Sequence, residues 1–420
     1  MKTKFFHNEK LYYVLIVAAC ALVMAVTIGL TSNCSSLFFI PVSEGIGVPR
    51  GSVGVINTVL MISYAGSSMM AGFVYRKFSM MKMFLFCAVL MPVGYGLYAA
   101  ADQLYQFYLL SLIIGAAEPY VSLLPVARII GNWFFEKSGT ALGIATMGTG
   151  IGGMLLGSLS GMWIESLGWR ATYLIQALIM LAVLMLTGIF VLREKPADVG
   201  FKPYGSHAQL PAEDCSGRSF RQYRFSAVFI ITCFATVLHA AGSQTMVSVL
   251  EPHLENVGYA ASKAALILSV CMGVLAVCKI FFGMLLDKLG IRRVTYLGIV
   301  VMVMTFVVSI FARYTVMMLL IFPLMGFACS YITVGIPYLV RKVFGAREYA
   351  AFFGVVSALE NLGSSVIPTV SGMVYDATSS YVPLFVAAII FVSFSGMLYT
   401  YVFRWVSREK RQAAASGRNS

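Results

Sequence analysis

Charge is what this sequence has least of. Asp, Glu, Lys and Arg make up 11% of the chain, where a soluble globular chain carries about 25%. Acids are scarcer than bases, 17 against 30, and there are only four histidines. No nucleophile–base set and no metal-ligand spacing can be assembled from so few groups, so an enzyme, a metal centre and a cofactor are not expected. The eight cysteines stand apart from one another, mostly in apolar runs, with Cys215 in a central hydrophilic stretch. They suit small apolar fillers and not a disulfide framework. Glu251, His253 and Glu255 alternate at the end of an apolar run and read as a solvated helix face. Gly148-Thr-Gly150-Ile-Gly152-Gly153 fits G-x-G-x-x-G, but no strand precedes it, and a dinucleotide fold needs a βαβ unit. With Gly157 and Gly161, the same glycines give the small-x-x-x-small spacing of closely packed membrane helices.

What fills the chain is apolar: 59% of residues are hydrophobic and the mean hydropathy is +0.85. Spans of about 20 apolar residues are the unit that crosses a bilayer. Twelve are present, at 12–38, 52–75, 83–101, 105–129, 140–163, 171–192, 224–250, 264–286, 294–312, 315–340, 349–374 and 382–403. The expected fold class is therefore an all-α membrane protein with twelve transmembrane helices. The first run is far longer than a signal-peptide core and reads as a retained helix.

The net charge of +13 invites a nucleic-acid reading, but its distribution argues against one. With a cytoplasmic N-terminus, 25 of the 30 Lys and Arg fall in the tails and even-numbered loops. Arg50, Arg170, Lys263 and Arg313 fall outside, and Lys279 lies within a span. This is the positive-inside asymmetry, which places both termini in the cytoplasm and the basic excess against anionic lipid. An inner-membrane location follows, with no nucleic-acid partner.

Glycines reveal an internal repeat. Gly72 and Gly283, Gly115 and Gly326, Gly143 and Gly354, and Gly152 and Gly363 are each 211 residues apart. A constant offset of this size gives two six-helix bundles related as parallel repeats. The expected organisation is a bundle in 1–192, a cytoplasmic linker in 193–223, a second bundle in 224–403 and a tail in 404–420. The linker is rich in Arg, Pro, Gly and Ser and has no apolar periodicity. The basic, weakly apolar tail reads as disordered.

Between the eighth and ninth spans stands Gly283-Met-Leu-Leu-Asp287-Lys288-Leu-Gly290-Ile-Arg292-Arg293. This pattern, G-x-L-x-D-K-L-G-x-R-R, resembles the signature loop of major facilitator superfamily transporters. A worn copy follows the second span, where Gly72 and Lys77 fit, Arg76 replaces the acid and Ser79 the second glycine. The resemblance implies alternating access between the two bundles, with the solute near the midplane. It also implies that Gly72, Arg76, Lys77, Arg128, Gly283, Asp287, Lys288, Gly290, Arg292 and Arg293 serve cytoplasmic gating. Asn132-Trp-Phe-Phe-Glu136-Lys137-Ser-Gly139-Thr-Ala141-Leu-Gly143 is similar to a run in the oxalate/formate antiporter and monocarboxylate transporter branch. That branch carries a base eight residues before the loop acid, and here Lys279 stands eight before Asp287.

A charge at mid-membrane costs about 2.5–3.5 kcal/mol on insertion scales, so intramembrane charges are candidate sites. Lys279 is an anchor for a substrate carboxylate; its alternative is a structural ion pair or a snorkelling lysine. Glu360, followed by Asn361, is an acid where the oxalate antiporter has a second base. One base beside one acid suits a monoanion, a zwitterion or a proton-coupled cycle, whereas a static Lys279–Glu360 pair would only neutralise itself. Glu118 precedes Pro119 and marks either an ion path or a kink-associated carboxyl bonded to a neighbouring helix. Arg128, nearer the cytoplasmic end, is a gate or snorkelling residue. His239 is either a proton shuttle or a hydrogen-bonded packing histidine. Asn33 stands where monocarboxylate transporters often have lysine, and Leu275 where some members have an acid. The expected function is secondary transport of a small organic carboxylate with a proton or counter-anion, by a monomer. The alternatives are transport of a larger amphipathic compound and, behind it, a solute receptor that moves nothing.

Overall fold

The computed structural model describes residues 9–205 and 218–415. Lys2, Lys4, Cys215 and the last five residues of the basic tail lie outside the described residues. The described residues are helical, with one isolated bridge between Phe134 and Tyr204. Helix α1 is Glu9–Asn33, α2 Gly51–Lys77, α3 Met80–Ala100 and α4 Leu104–Trp133. The next stretch, Ser138–Val191, is 54 residues long. At a rise of 1.5 Å per residue it would span about 80 Å, against a hydrocarbon core of about 30 Å. It breaks at Gly168 (φ 83°, ψ 164°), giving α5 (138–167) and α6 (169–191). Helix α7 is Ala227–Asn256. Ala261–Ile310 breaks in the same way at Gly290 (φ 78°, ψ 159°), giving α8 (261–289) and α9 (291–310). Helices α10 (Thr315–Phe344), α11 (Tyr349–Thr378) and α12 (Val382–Ala415) complete the set. The backbone at Gly168 and Gly290 is in a region open essentially only to glycine, which gives Gly290 of the charged loop a geometric role.

All twelve apolar spans are helices, and their outer faces are apolar. Phe73, Met162, Leu178, Phe190, Leu266, Val300 and Met397 are exposed, while Thr, Ser and the few buried charges lie inside. That arrangement suits hydrocarbon as the solvent.

The chain divides into two compact units, Met1–Ser206 and His207–Ser420. In the first, α1 and α5 meet backbone to backbone. A Cβ on Gly148 or Gly152 would collide with the carbonyls of Ala21 or Ala25. Gly115 of α4 lies against Leu60 and Ser63 of α2, and 211 residues later Gly326 of α10 lies against Val274, Leu275 and Cys278 of α8. The repeat is thus a repeat of contacts.

The hydrophilic stretch after α6 is docked at each end. In the first unit, the amide of Tyr204 donates to the Trp133 carbonyl at 2.8 Å, and the Phe135 amide donates to Tyr204 O at 3.0 Å. The Trp133 indole donates to Arg193 O, and Tyr13 to Lys202 O. In the second unit, the amide of Arg218 donates to the Phe344 carbonyl at 3.1 Å. Trp133 and Phe344 are themselves 211 residues apart. The Arg218 guanidinium also bonds Val343 O and Glu409 and lies 4.2 Å from the Trp405 ring centroid. Burial pulls its pKa below the ordinary arginine value, opposed by the Glu409 charge.

Three expectations are corrected. The tail is helical through Ala415 because Arg218 holds Trp405 and Glu409, so α12 continues past its apolar part. The first span does not run to 38 as one helix. After Val26 it widens into a π turn at Gly29–Asn33, and Ser35 and Ser36 begin a separate short helix, Ser35–Ile46. The hydroxyls of Thr27 and Thr31 bond the carbonyls four residues back, a pairing that bends helices. His253 is not on a solvated face: it is 1% exposed, with Nε2 2.9 Å from Ser309 O and its ring against Phe385. At about 100° per residue, position 253 points away from 251 and 255, so alternation in a helix does not place three residues on one face.

Candidate functional site

Among the described residues the fully buried carboxylates and ammonium groups are Glu118, Lys279 and Glu360, at 2%, 3% and 8% exposure. Glu118 belongs to the first unit. Pro119 removes a backbone donor, and the helix tightens into a 3₁₀ turn at Glu118–Tyr120. The turn aims Oε1 at α1, where Thr31 Oγ1 donates to it at 3.0 Å. Thr31 is the middle residue of the π turn, a feature often found at functional positions. Glu118 Oε2 and Ser122 Oγ, one turn later, are buried with no hydrogen-bond partner among the described residues. A buried carboxyl with one oxygen satisfied and the other not can take up and release a proton.

Lys279 and Glu360 belong to the second unit. Lys279 lies on α8, eight residues before Asp287 and so about 12 Å from it along the helix. Cys329 of α10 and Ser243 of α7 are both buried, at 5% and 8% exposure. Glu360 lies on α11 at 8% exposure, and Tyr399 of α12 is fully buried. The Tyr399 hydroxyl is 3.1 Å from Thr236 Oγ1, and its ring is 5.9 Å from Tyr331. Tyr331 stands at the head of another π turn, Tyr331–Gly335, and a Cβ at Gly335 would crowd its ring. His239 rests 4.5 Å from the Tyr331 ring. Both of its ring nitrogens are buried without a hydrogen-bond partner among the described residues.

The other residues singled out from sequence are placed elsewhere. Asn33 Nδ2 donates to the Thr149 carbonyl of α5 and is 2.7 Å from the place a Cβ on Gly153 would take. Asn361 donates to Ser357 O on its own helix. Arg128 pairs with Glu194 at 2.7 Å and lies 5.5 Å from the Tyr75 ring centroid, tying α4 to the segment after α6. Arg76 and Lys77 are exposed at the end of α2, with Gly72 one turn earlier. Lys288, Arg292 and Arg293 are exposed where α8 meets α9, and Asp287 is half-buried there, one turn past Gly283. Thr31, Ser243, Cys329 and Tyr331 were not singled out. One signal could have found Cys329: it stands 211 residues after Glu118.

A family model of the Major Facilitator Superfamily matches residues 20–238 and 232–419. Monocarboxylate transporter 12 of Mus musculus is 24% identical over 429 aligned residues, covering 94% of this chain and 86% of that protein. The oxalate:formate antiporter of Oxalobacter formigenes is 25% identical over 284 residues, covering 67% of this chain and 64% of that protein. The solved structure of a proton:xylose symporter matches with a TM-score of 0.76 at 13% identity, covering 95% of this chain and 97% of that one, which is a likeness of fold.

Proposed function

The chain belongs to the major facilitator superfamily, a family of transporters and not of enzymes, and from that premise we propose that it moves a small organic carboxylate by alternating access. The observation that carries this reading is Lys279, an ammonium buried to 3% exposure on an apolar helix. A carboxylate solute offers a buried ammonium both an opposite charge and hydrogen-bond acceptors. Two relatives are named for carboxylates, which supports the same class. Glu118 and Glu360 are the proposed coupling groups. Either takes a proton during symport, or Glu360 serves as counter-charge during anion exchange. The chain is a multi-pass membrane protein, and we place it in the inner membrane with both termini cytoplasmic, from the distribution of Lys and Arg.

The test is uptake of labelled mono- and dicarboxylates into proteoliposomes, with and without an imposed proton gradient. Gradient-driven uptake supports symport, and gradient-independent exchange with internal anion supports antiport. A protein that moves no carboxylate under either condition contradicts the proposal.

A further inference from the structure

At one matched position the two repeats carry different polar groups. Glu118 in α4 and Cys329 in α10 are 211 residues apart, and a hydroxyl residue stands at or next to the matched position on the first helix of each unit, Thr31 and Ser243. Thr31 donates to Glu118, and Ser243 stands within one residue of the position that matches Thr31. The second repeat thus keeps the hydroxyl and replaces the carboxyl by a thiol.

Helix packing puts this thiol beside Lys279. Below the pair, a Cβ on Gly326 of α10 would lie 3.1 Å from both Leu275 N and Cys278 Sγ of α8. Above it, the Phe282 ring of α8 is 5.1 Å from Phe327 and 6.1 Å from Tyr331 of α10. Lys279 and Cys329 fall within this bracketed stretch, and Cys329 is 5% exposed. His239, one turn before Ser243 on α7, borders the same seam with two unpartnered buried nitrogens. Buried polar atoms without a partner mark a place where a polar ligand or water completes the bonding.

We propose that Cys329 is a charge-selecting residue of the Lys279 site: with a neutral thiol where the first repeat holds a carboxyl, α10 contributes no negative charge beside the ammonium and the seam suits an anionic solute. This rests on the carboxylate reading above. A carboxyl at position 329 would form an ion pair with Lys279 and compete with the solute for it.

The test compares Cys329→Glu with Cys329→Gln, side chains of one shape that differ in charge. In proteoliposomes, carboxylate uptake by the Glu variant should be slower than by the Gln variant by about tenfold or more. Equal rates in the two variants overturn the proposal. A second measurement needs no solute. In detergent, Cys329→Glu should lower the unfolding temperature less in the Lys279-containing protein than in the Lys279→Gln background, because the lysine compensates the new charge. Additive shifts overturn the juxtaposition. If the wild type moves no carboxylate, the transport reading fails by itself, and the unfolding cycle still decides the relation between Cys329 and Lys279.

Discussion

Thr31 of α1 donates a 3.0 Å hydrogen bond to Glu118 of α4, joining a π turn to a 3₁₀ turn inside the first unit. Both turns depart from regular helix at the place where the two side chains meet. The departure in α4 follows from Pro119, and the one in α1 accompanies the Thr27 and Thr31 back-bonds. The pair links α1 to α4 through buried polar groups.

Removing the bond leaves a buried carboxyl oxygen without its donor. Thr31→Val keeps the shape and deletes the hydroxyl, so it should lower stability by about 1–3 kcal/mol. Thermal unfolding in detergent measures this. An unchanged unfolding temperature would mean that the bond contributes nothing to the folded state.

If Glu118 carries a proton, Glu118→Gln should separate two activities. Proton-driven uptake should fall by about tenfold or more, while exchange of solute across the membrane persists. Parallel assays in one proteoliposome preparation check this. Equal losses of both activities would assign Glu118 to solute binding or folding instead.

The α1–α5 contact predicts opposite responses to added side chains. Gly152→Val drives a side chain into the Ala25 carbonyl and should cost about 1–3 kcal/mol or more. A Cβ on Gly161 meets nothing within 4 Å, so Gly161→Ala should stabilise by about 0.5–1 kcal/mol. Two variants destabilised alike would contradict this packing.

Gly290→Ala tests the break between α8 and α9. A φ of 78° with a ψ of 159° is strained for any residue with a Cβ, and the cost should be about 1–3 kcal/mol. Gly168→Ala should behave in the same way, since its angles are nearly the same. Normal unfolding temperatures in both would show that the breaks tolerate side chains.

Arg218 holds the end of α12. Arg218→Ala removes its bonds to Glu409 and Val343 and its stacking on Trp405, so trypsin should cut faster after Arg408 and Arg411. Timed digestion of wild type and variant measures the difference. Equal cleavage rates would mean that the terminal helix stands without the clasp.

Much of this protein is legible in its sequence, for physical reasons. Glu118, Lys279 and Glu360 stand out because an ionisable group in an apolar run is expensive, and the structure buries all three. The twelve helices are legible because a bilayer enforces their length. The polar partners are not. Thr31, Ser243 and Cys329 belong to residue types scattered through every span, and only tertiary packing decides which of them meet a charge. The docked ends of the central hydrophilic stretch were equally hidden, because Tyr204 and Arg218 are held through the backbone carbonyls of Trp133 and Phe344. His253 shows the opposite error, in which a period of two was read into a helix whose period is 3.6.

The most direct measurement is the initial uptake rate of a labelled carboxylate against its uncharged amide, in wild type and Lys279→Gln proteoliposomes. The account predicts that the wild type prefers the carboxylate and that the variant loses the preference through slower carboxylate uptake. A preference that survives in Lys279→Gln would contradict the assignment of Lys279 as the anion anchor.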